Sequence, residues 1–176
     1  MTEEYKLNRV SWDTIYMEMS KTLSQRSSCI KIHTAAIIVK YSRNYKGNQI
    51  VAIGYNGTLS GEKECSEYWY GIYKQELVTI PFEQWLMQTD IKTRHREWSI
   101  RNEMHAEANA LRYLSADNTE NCVLYTLYSP CDMCAKAIRA HGIKRIVYMY
   151  EYARGQHAIE MLTKAGVCCD IYNGKY

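Results

Sequence analysis

The stretch CVLYTLYSPCDMCAKAIRAHGIKRIVYMY, residues 122–150, decides the fold. Its first seven residues, Cys122 to Tyr128, form an apolar run of strand length, and Arg145 to Tyr150 form another. Between them, Cys131 to His141 reads as a helix that Gly142 stops. Upstream, Glu103 to Leu114 reads as a second helix carrying His105 and Glu107, with Met104, Ala108 and Leu111 as its buried stripe. Pro130 follows Glu107 by 23 positions. That length holds one helix, one loop and one strand, and so brings two adjacent helix starts together.

What meets at those starts is a metal-ligand set. His105 offers an imidazole, and Cys131 and Cys134 offer two thiols in C-x-x-C spacing. Three protein ligands leave the fourth position of a zinc ion to water, as in catalytic zinc sites. Positive helix ends favour thiolate over thiol and so assist metal capture. Glu107, two residues beyond the imidazole, is not needed as a ligand and is free to carry protons. A lone C-x-x-C is commonly a structural zinc knuckle or a redox pair. Joined to H-x-E in this order, with Pro130 before the first Cys, it reads as catalytic.

Other segments complete a layered α/β pattern. Ser11 to Arg26 reads as an amphipathic helix, with Ser11 as cap and Trp12, Ile15, Tyr16, Met19 and Leu23 as the apolar face. Thr34–Lys40 and Gln49–Tyr55 form a hairpin about a turn that includes Gly47-Asn48. Gln156 to Ala165 is a helix ended by Gly166, and Val167 to Tyr172 a last strand. The order predicts a three-layer α/β/α fold around a five-stranded mixed sheet, in one domain spanning 1–176. The aromatic-rich stretch from about 58 to 101 interrupts the pattern and reads as a folded, partly helical insertion on the substrate side.

Composition narrows the class. With 176 residues and 47% hydrophobic content the chain can build one core, and no apolar run approaches a membrane span. Met1 to Arg9 is polar with mixed charge, which predicts no secretory leader. Seven cysteines in such a chain fit a reducing cytoplasm, host cytoplasm for a viral chain. Cys122, Cys168 and Cys169 are expected to pack in the core. The net charge of +3 is dispersed and lacks the basic stripe that tracks a nucleic-acid backbone.

Four segments together carry a resemblance: Gln25-Arg26-Ser27-Ser28-Cys29, Gly54-Tyr55-Asn56-Gly57, His105 to Ala110, and Ser129 to Lys136. From roughly Trp12 onward the chain resembles the deoxycytidylate (dCMP) deaminases of bacteria and phages, within the zinc-dependent cytidine deaminase superfamily. The resemblance implies hydrolysis of dCMP to dUMP and ammonia, supplying dUMP for dTMP synthesis. It implies a second, structural zinc on Cys29, Cys65, His95 and Glu103. It also implies that Arg26 binds the 5′-phosphate and Asn56 the sugar, with Asn109, Ser129 and Tyr152 as further substrate contacts. Each of these five has a plainer reading as a turn, surface or packing residue. Related proteins are commonly homohexamers, activated by dCTP and inhibited by dTTP. Their effector, with Mg2+ accompanying a triphosphate, would lie here near Gly57, Thr58, Ser60 and Gly61. Leu59 stands where relatives often have Pro.

Two competitors are a deaminase acting on a base within RNA or single-stranded DNA, and a zinc-stabilised nucleotide-binding module. The first calls for a basic groove with stacking aromatics; the dispersed charge opposes it. The second has no use for the carboxylate of Glu107.

Overall fold

The computed structural model describes residues 9–41, 48–115, 119 and 121–174. Gly47 and all of Met1–Arg9 except Arg9 lie outside the described residues. Strand β1 (Ala35–Lys40) pairs antiparallel with β2 (Gln49–Tyr55), completing the expected hairpin. Between β2 and the central strand come β3 (Gly57–Thr58), α2 (Cys65–Gln75), α3 (Phe82–Leu86), α4 (Thr89–Asn102), β4 (Glu103–Met104) and α5 (Ala106–Leu111). The central strand β5 (Cys122–Tyr128) is followed by α6 (Asp132–Ala140), β6 (Arg145–Tyr150), α7 (Gln156–Lys164) and β7 (Cys168–Ile171). The sheet order is β2-β1-β5-β6-β7. Its β1–β5 pair is antiparallel while β5–β6 and β6–β7 are parallel, so the five-stranded sheet is mixed as expected.

Side-chain alternation splits the sheet into two buried faces. Ala36, Ile38, Leu124 and Ile146 face Ala106, Ala110, Leu111, Ile138, Ala158 and Leu162 of α5, α6 and α7. Ile37, Val39, Val123, Tyr125 and Val147 face the first helix, α1 (Trp12–Ser24). Helices thus cover both faces, giving the three layers. Among the described residues no helix is long and apolar enough to cross a membrane.

Helix α1 begins where expected, with Ser11 Oγ accepting from the Thr14 amide at 3.1 Å. Its buried face differs from the expected one. Thr14, Tyr16, Met17, Ser20 and Ser24 are buried, whereas Trp12, Ile15 and Met19 are exposed. Small Ser20 and Ser24 suit a close approach to the sheet, which apolar spacing alone does not register. A polar tether also sets the rotation: Asp13 accepts from Arg145 Nη1 and Nη2 at 2.9 and 2.7 Å and from the Tyr125 hydroxyl at 2.6 Å. Arg145 in turn donates to Asp170 on β7.

Two further expectations are corrected. Glu103 and Met104 are extended rather than helical, because they pair with Thr58 and Gly57 in a two-stranded ribbon. Helix α5 therefore starts at Ala106 and ends at Leu111, and its buried residues are Ala106, Glu107, Ala110 and Leu111, with Met104 and Ala108 only half-buried. Of the three cysteines expected in the core, Cys122 is buried, Cys169 half-buried and Cys168 exposed, since β7 is an edge strand. The insertion is helical. It packs Trp69, Trp85 and Ile91 with Cys29 and Cys65 into a core of its own.

The Asp13 tether makes one expectation measurable. The hydrogen bonds from Arg145 hold the Asp13 carboxyl below its ordinary range. A depressed carboxyl stabilises the fold above its unfolded pKa and loses that contribution as pH falls through the folded value. Asp13→Asn should cost about 1–3 kcal/mol at neutral pH, and the difference from wild type should shrink below about pH 4. Thermal unfolding across pH checks this; a gap that grows on acidification would contradict it.

Candidate active site

The site is built where two helix starts meet the ends of two strands. Gly54, near the end of β2, lies so close to α5 that a β-carbon there would collide with the backbone of Ala106 and Ala110. This approach seats α5 on the hairpin and fixes its first turn. His105 is the N-cap residue of α5 with extended backbone, φ −71° and ψ 152°, and Glu107 falls in that first turn. Cys131 is the N-cap residue of α6, with Cys134 one turn on. The expected convergence is therefore present: His105 Nδ1 lies 3.4 Å from Cys131 Sγ and 3.4 Å from Cys134 Sγ.

These distances suit a shared metal. Tetrahedral zinc with ordinary Zn–S and Zn–N bonds separates its sulfur and nitrogen ligands by about 3.6 Å. The three ligand atoms lie within 4.8 Å of one another. Their protonation points the same way. Hydrogen bonding from Cys134, aided by His105, holds the Cys131 thiol down at about 3. The same contact with Cys131, together with burial, pushes Cys134 up. Hydrogen bonding to Cys131 raises His105 to about 9. The cluster thus shares protons that a metal would displace.

Glu107 is only 5% exposed, and burial is the main cause raising its carboxyl above the ordinary range. A buried carboxyl with a raised pKa beside a metal-type cluster is a candidate for moving protons.

A second cluster adjoins the first. Cys29, Cys65 and His95 are buried, Glu103 is half-buried, and their ligand atoms also lie within 4.8 Å. Cys65 Sγ is 3.3 Å from His95 Nε2. Cys29 is held down at about 3 by hydrogen bonding from Cys65, and burial leads in raising Glu103 to about 7. Glu103 Oε1 is buried without a hydrogen-bond partner. An orphaned buried oxygen facing two sulfurs and an imidazole fits a four-ligand metal set.

Both clusters open on one cavity of about 760 Å³, within the range of small-molecule sites. Asn56, Ser129 and Tyr152 line it, as do Glu107, His105 and Cys131. Asn56 is buried; its Oδ1 accepts from the Thr34 amide at 2.9 Å and its Nδ2 donates to the Ile32 carbonyl at 2.8 Å. It therefore also shapes the segment after Cys29. Ser129 Oγ accepts from the Tyr152 amide at 2.7 Å, which holds Tyr152 at the cavity wall.

Two expected contacts are not in that wall. Arg26 is exposed just past α1, and Asn109 donates to the Tyr55 carbonyl at 2.8 Å, fastening α5 to the end of β2. The cavity instead contains the cations Lys31, Lys92, Arg96 and Arg154, none of which stood out in the sequence. Lys92 and Arg96 are four residues apart on α4, a spacing indistinguishable from a solvated helix face without the fold. The expected effector loop is only partly a loop. Gly57 and Thr58 are in the ribbon, Gly57 is buried, and Leu59, Ser60 and Gly61 form an exposed turn.

A C-x-x-C helix start, an N-cap imidazole and a buried carboxyl on a mixed α/β/α sheet define a metal-dependent deaminase of the cytidine-deaminase fold. The chain belongs to the family described as the cytidine and deoxycytidylate deaminase zinc-binding region, which it matches over residues 10–150. It is 30% identical over 175 residues to the deoxycytidylate deaminase of Enterobacteria phage T4, covering 89% of this chain and 86% of that protein. It is 31% identical over 160 residues to the deoxycytidylate deaminase of Schizosaccharomyces pombe, covering 90% of this chain and 43% of that one. The structure resembles the dCMP deaminase of cyanophage S-TIM5 in complex with dCMP and dUMP, with a TM-score of 0.61 and 29% identity over 98% of this chain and 99% of that one.

Cys131→Ser should lower the zinc content by one ion per chain and abolish turnover. Metal analysis and an ammonia assay on the same preparation check this. Full metal content with normal turnover would contradict the ligand assignment.

Proposed function

We propose that this chain is a single-domain dCMP deaminase that hydrolyses dCMP to dUMP and ammonia. The observation that carries the reading is the buried Glu107 carboxyl beside the His105–Cys131–Cys134 triangle at the end of a nucleotide-sized cavity. The relatives named above supply the substrate class.

Bound by His105, Cys131 and Cys134, a zinc ion would supply Lewis acidity that makes water a nucleophile near neutral pH. Glu107 takes the proton released by the water that attacks C4 of the pyrimidine. It passes that proton to ring N3, then takes the proton of the hydroxyl now on C4 and gives it to the departing amine as the C4–N bond breaks, so that water and dCMP become dUMP and ammonia. Burial aids this cycle, since a raised pKa makes the carboxylate a stronger base toward water and lets it keep the proton until transfer. Tyr152 and Ser129 bound the cavity near Cys131, and Asn56 closes it on the hairpin side. Asn109 supports the site by fastening α5.

A second zinc on Cys29, Cys65, His95 and Glu103 belongs to the same reading; its support is the orphaned Glu103 oxygen and the closeness of the four ligand atoms. It would join the insertion to the strand that leads into His105. Regulation by dCTP and dTTP, with Mg2+ on the triphosphate, follows from the resemblance, with the effector at the Thr58–Gly61 turn. The ribbon offers a path for it, because Gly57 pairs with Met104, the residue before His105. The homohexamer also follows from the resemblance, and exposed Trp12, Ile15 and Met19 supply apolar surface for it. A cytoplasmic location suits the free thiols. For the 5′-phosphate the resemblance implies Arg26, which stands outside the cavity wall.

Glu107→Gln keeps size and polarity but cannot cycle a proton. It should lower kcat for dCMP by about 10² to 10⁴ while both zinc ions stay bound. Wild-type rate in this variant, or loss of its metal, would show that Glu107 is not the proton carrier. A count of one zinc in freshly purified wild type would remove the second site.

A further inference from the structure

Tyr152 and Arg154 reach the cavity from the short link between β6, which ends at Tyr150, and α7, which starts at Gln156. The link closes on itself, with the Gly155 amide donating to the Tyr152 carbonyl at 2.7 Å. It is tied outward through one residue. The Ser129 amide donates to the Tyr150 carbonyl at 2.8 Å, and the Ser129 hydroxyl accepts from the Tyr152 amide at 2.7 Å. Among the described residues, no other hydrogen bond joins the backbone of 152–154 to a segment outside the link. A buried amide left without its partner is costly, so this one hydroxyl decides where the link can sit.

Gly155 completes the seat of that hydroxyl. It is buried, and a β-carbon on it would collide with Ser129 Oγ. The next nearest atoms are the carbonyl oxygens of Tyr152 and Pro130, at 3.1 and 3.3 Å, so the hydroxyl is the hard obstacle. With φ −89° and ψ −13° the Gly155 backbone is open to any residue. The glycine is there for space rather than for its backbone freedom. Ser129 is 4% exposed and stands two residues before Cys131. The group that seats the link therefore belongs to the segment that delivers a metal-type ligand.

We propose that Ser129 and Gly155 act as a pair of positioning residues. The Ser129 hydroxyl, held in the space that Gly155 leaves, locks the 152–155 turn and sets Tyr152 and Arg154 as one wall of the cavity beside Cys131. Ser129 thereby acts on the substrate through the turn and does not touch it with its hydroxyl. For its substrate this rests on the dCMP reading above; the lock itself does not. A wall already held in place loses little freedom when a substrate settles against it, so loosening it shows first in KM.

The test combines kinetics on dCMP, zinc content, thermal unfolding and hydrogen exchange of the Tyr152 amide. The proteins are wild type, Ser129→Ala, Gly155→Ala, Tyr152→Ala and the two double variants that add Ser129→Ala to the others. Ser129→Ala should raise KM about tenfold, change kcat less and leave the zinc content as it is, while the Tyr152 amide exchanges faster. Gly155→Ala should melt below wild type. Adding Ser129→Ala to it should recover part of that loss, because the colliding oxygen is gone. In the Tyr152→Ala background, Ser129→Ala should add little to KM. Fully additive losses at 129 and 152 would mean that Ser129 meets the substrate itself, and wild-type stability in Gly155→Ala would remove the seat; either result overturns the proposal. A wild type that does not convert dCMP overturns the function, while amide exchange and melting still decide the lock.

Discussion

The close seating of helix α5 on strand β2 is the constraint on which the site depends. Only a residue without a β-carbon lets the backbones of Ala106 and Ala110 come as near to the sheet as they do at Gly54. Once α5 is held there, its start is set, and with it the imidazole of the cap residue and the carboxyl in the first turn. Asn109 adds a hydrogen bond from the same helix to the Tyr55 carbonyl. The opposing half of the site is set by β5, which pairs with strands on both sides and delivers Cys131 to the start of α6. Ligand distances near 3.4 Å are thus a consequence of sheet register and one close helix contact.

The charge of the site follows from that seating. Two thiol-containing clusters and two carboxyls are held in or beside one cavity, where burial would penalise each charge alone. Within each cluster a neighbouring thiol or imidazole shares the proton, which lets groups with low water exposure remain ready for a cation. The ribbon of Gly57–Thr58 with Glu103–Met104 joins the clusters mechanically. Glu103 is separated from His105 by Met104 alone, and the turn after Thr58 is linked to the same segment through the Thr58–Glu103 pair.

Much of this was legible in the sequence because its signals were local. The runs at Cys122–Tyr128 and Arg145–Tyr150 have the composition of buried strands and occupy those spans. Gly142 and Gly166 end their helices with positive φ, 74° and 78°. The H-x-E and C-x-x-C spacings put their side chains at helix starts, and the structure brings them together. Features that depend on distant partners were not legible. The rotation of α1 depends on Asp13 meeting Arg145, 132 residues away, and the extended backbone at Glu103 depends on Thr58. The cavity cations were hidden for the same reason. Lys31, Lys92 and Arg154 come from separate segments, and no spacing marks them as neighbours in one cavity.

The account makes the substrate a free nucleotide rather than a base within a polymer. The enclosing insertion and the modest net charge of +3 both favour the small substrate. The most direct measurement is ammonia release by the purified, zinc-loaded protein from dCMP and, in parallel, from a cytosine-containing single-stranded DNA oligonucleotide at equal cytosine concentration. The account predicts stoichiometric conversion of dCMP to dUMP and no release from the oligonucleotide. Turnover of the oligonucleotide with dCMP untouched would contradict it.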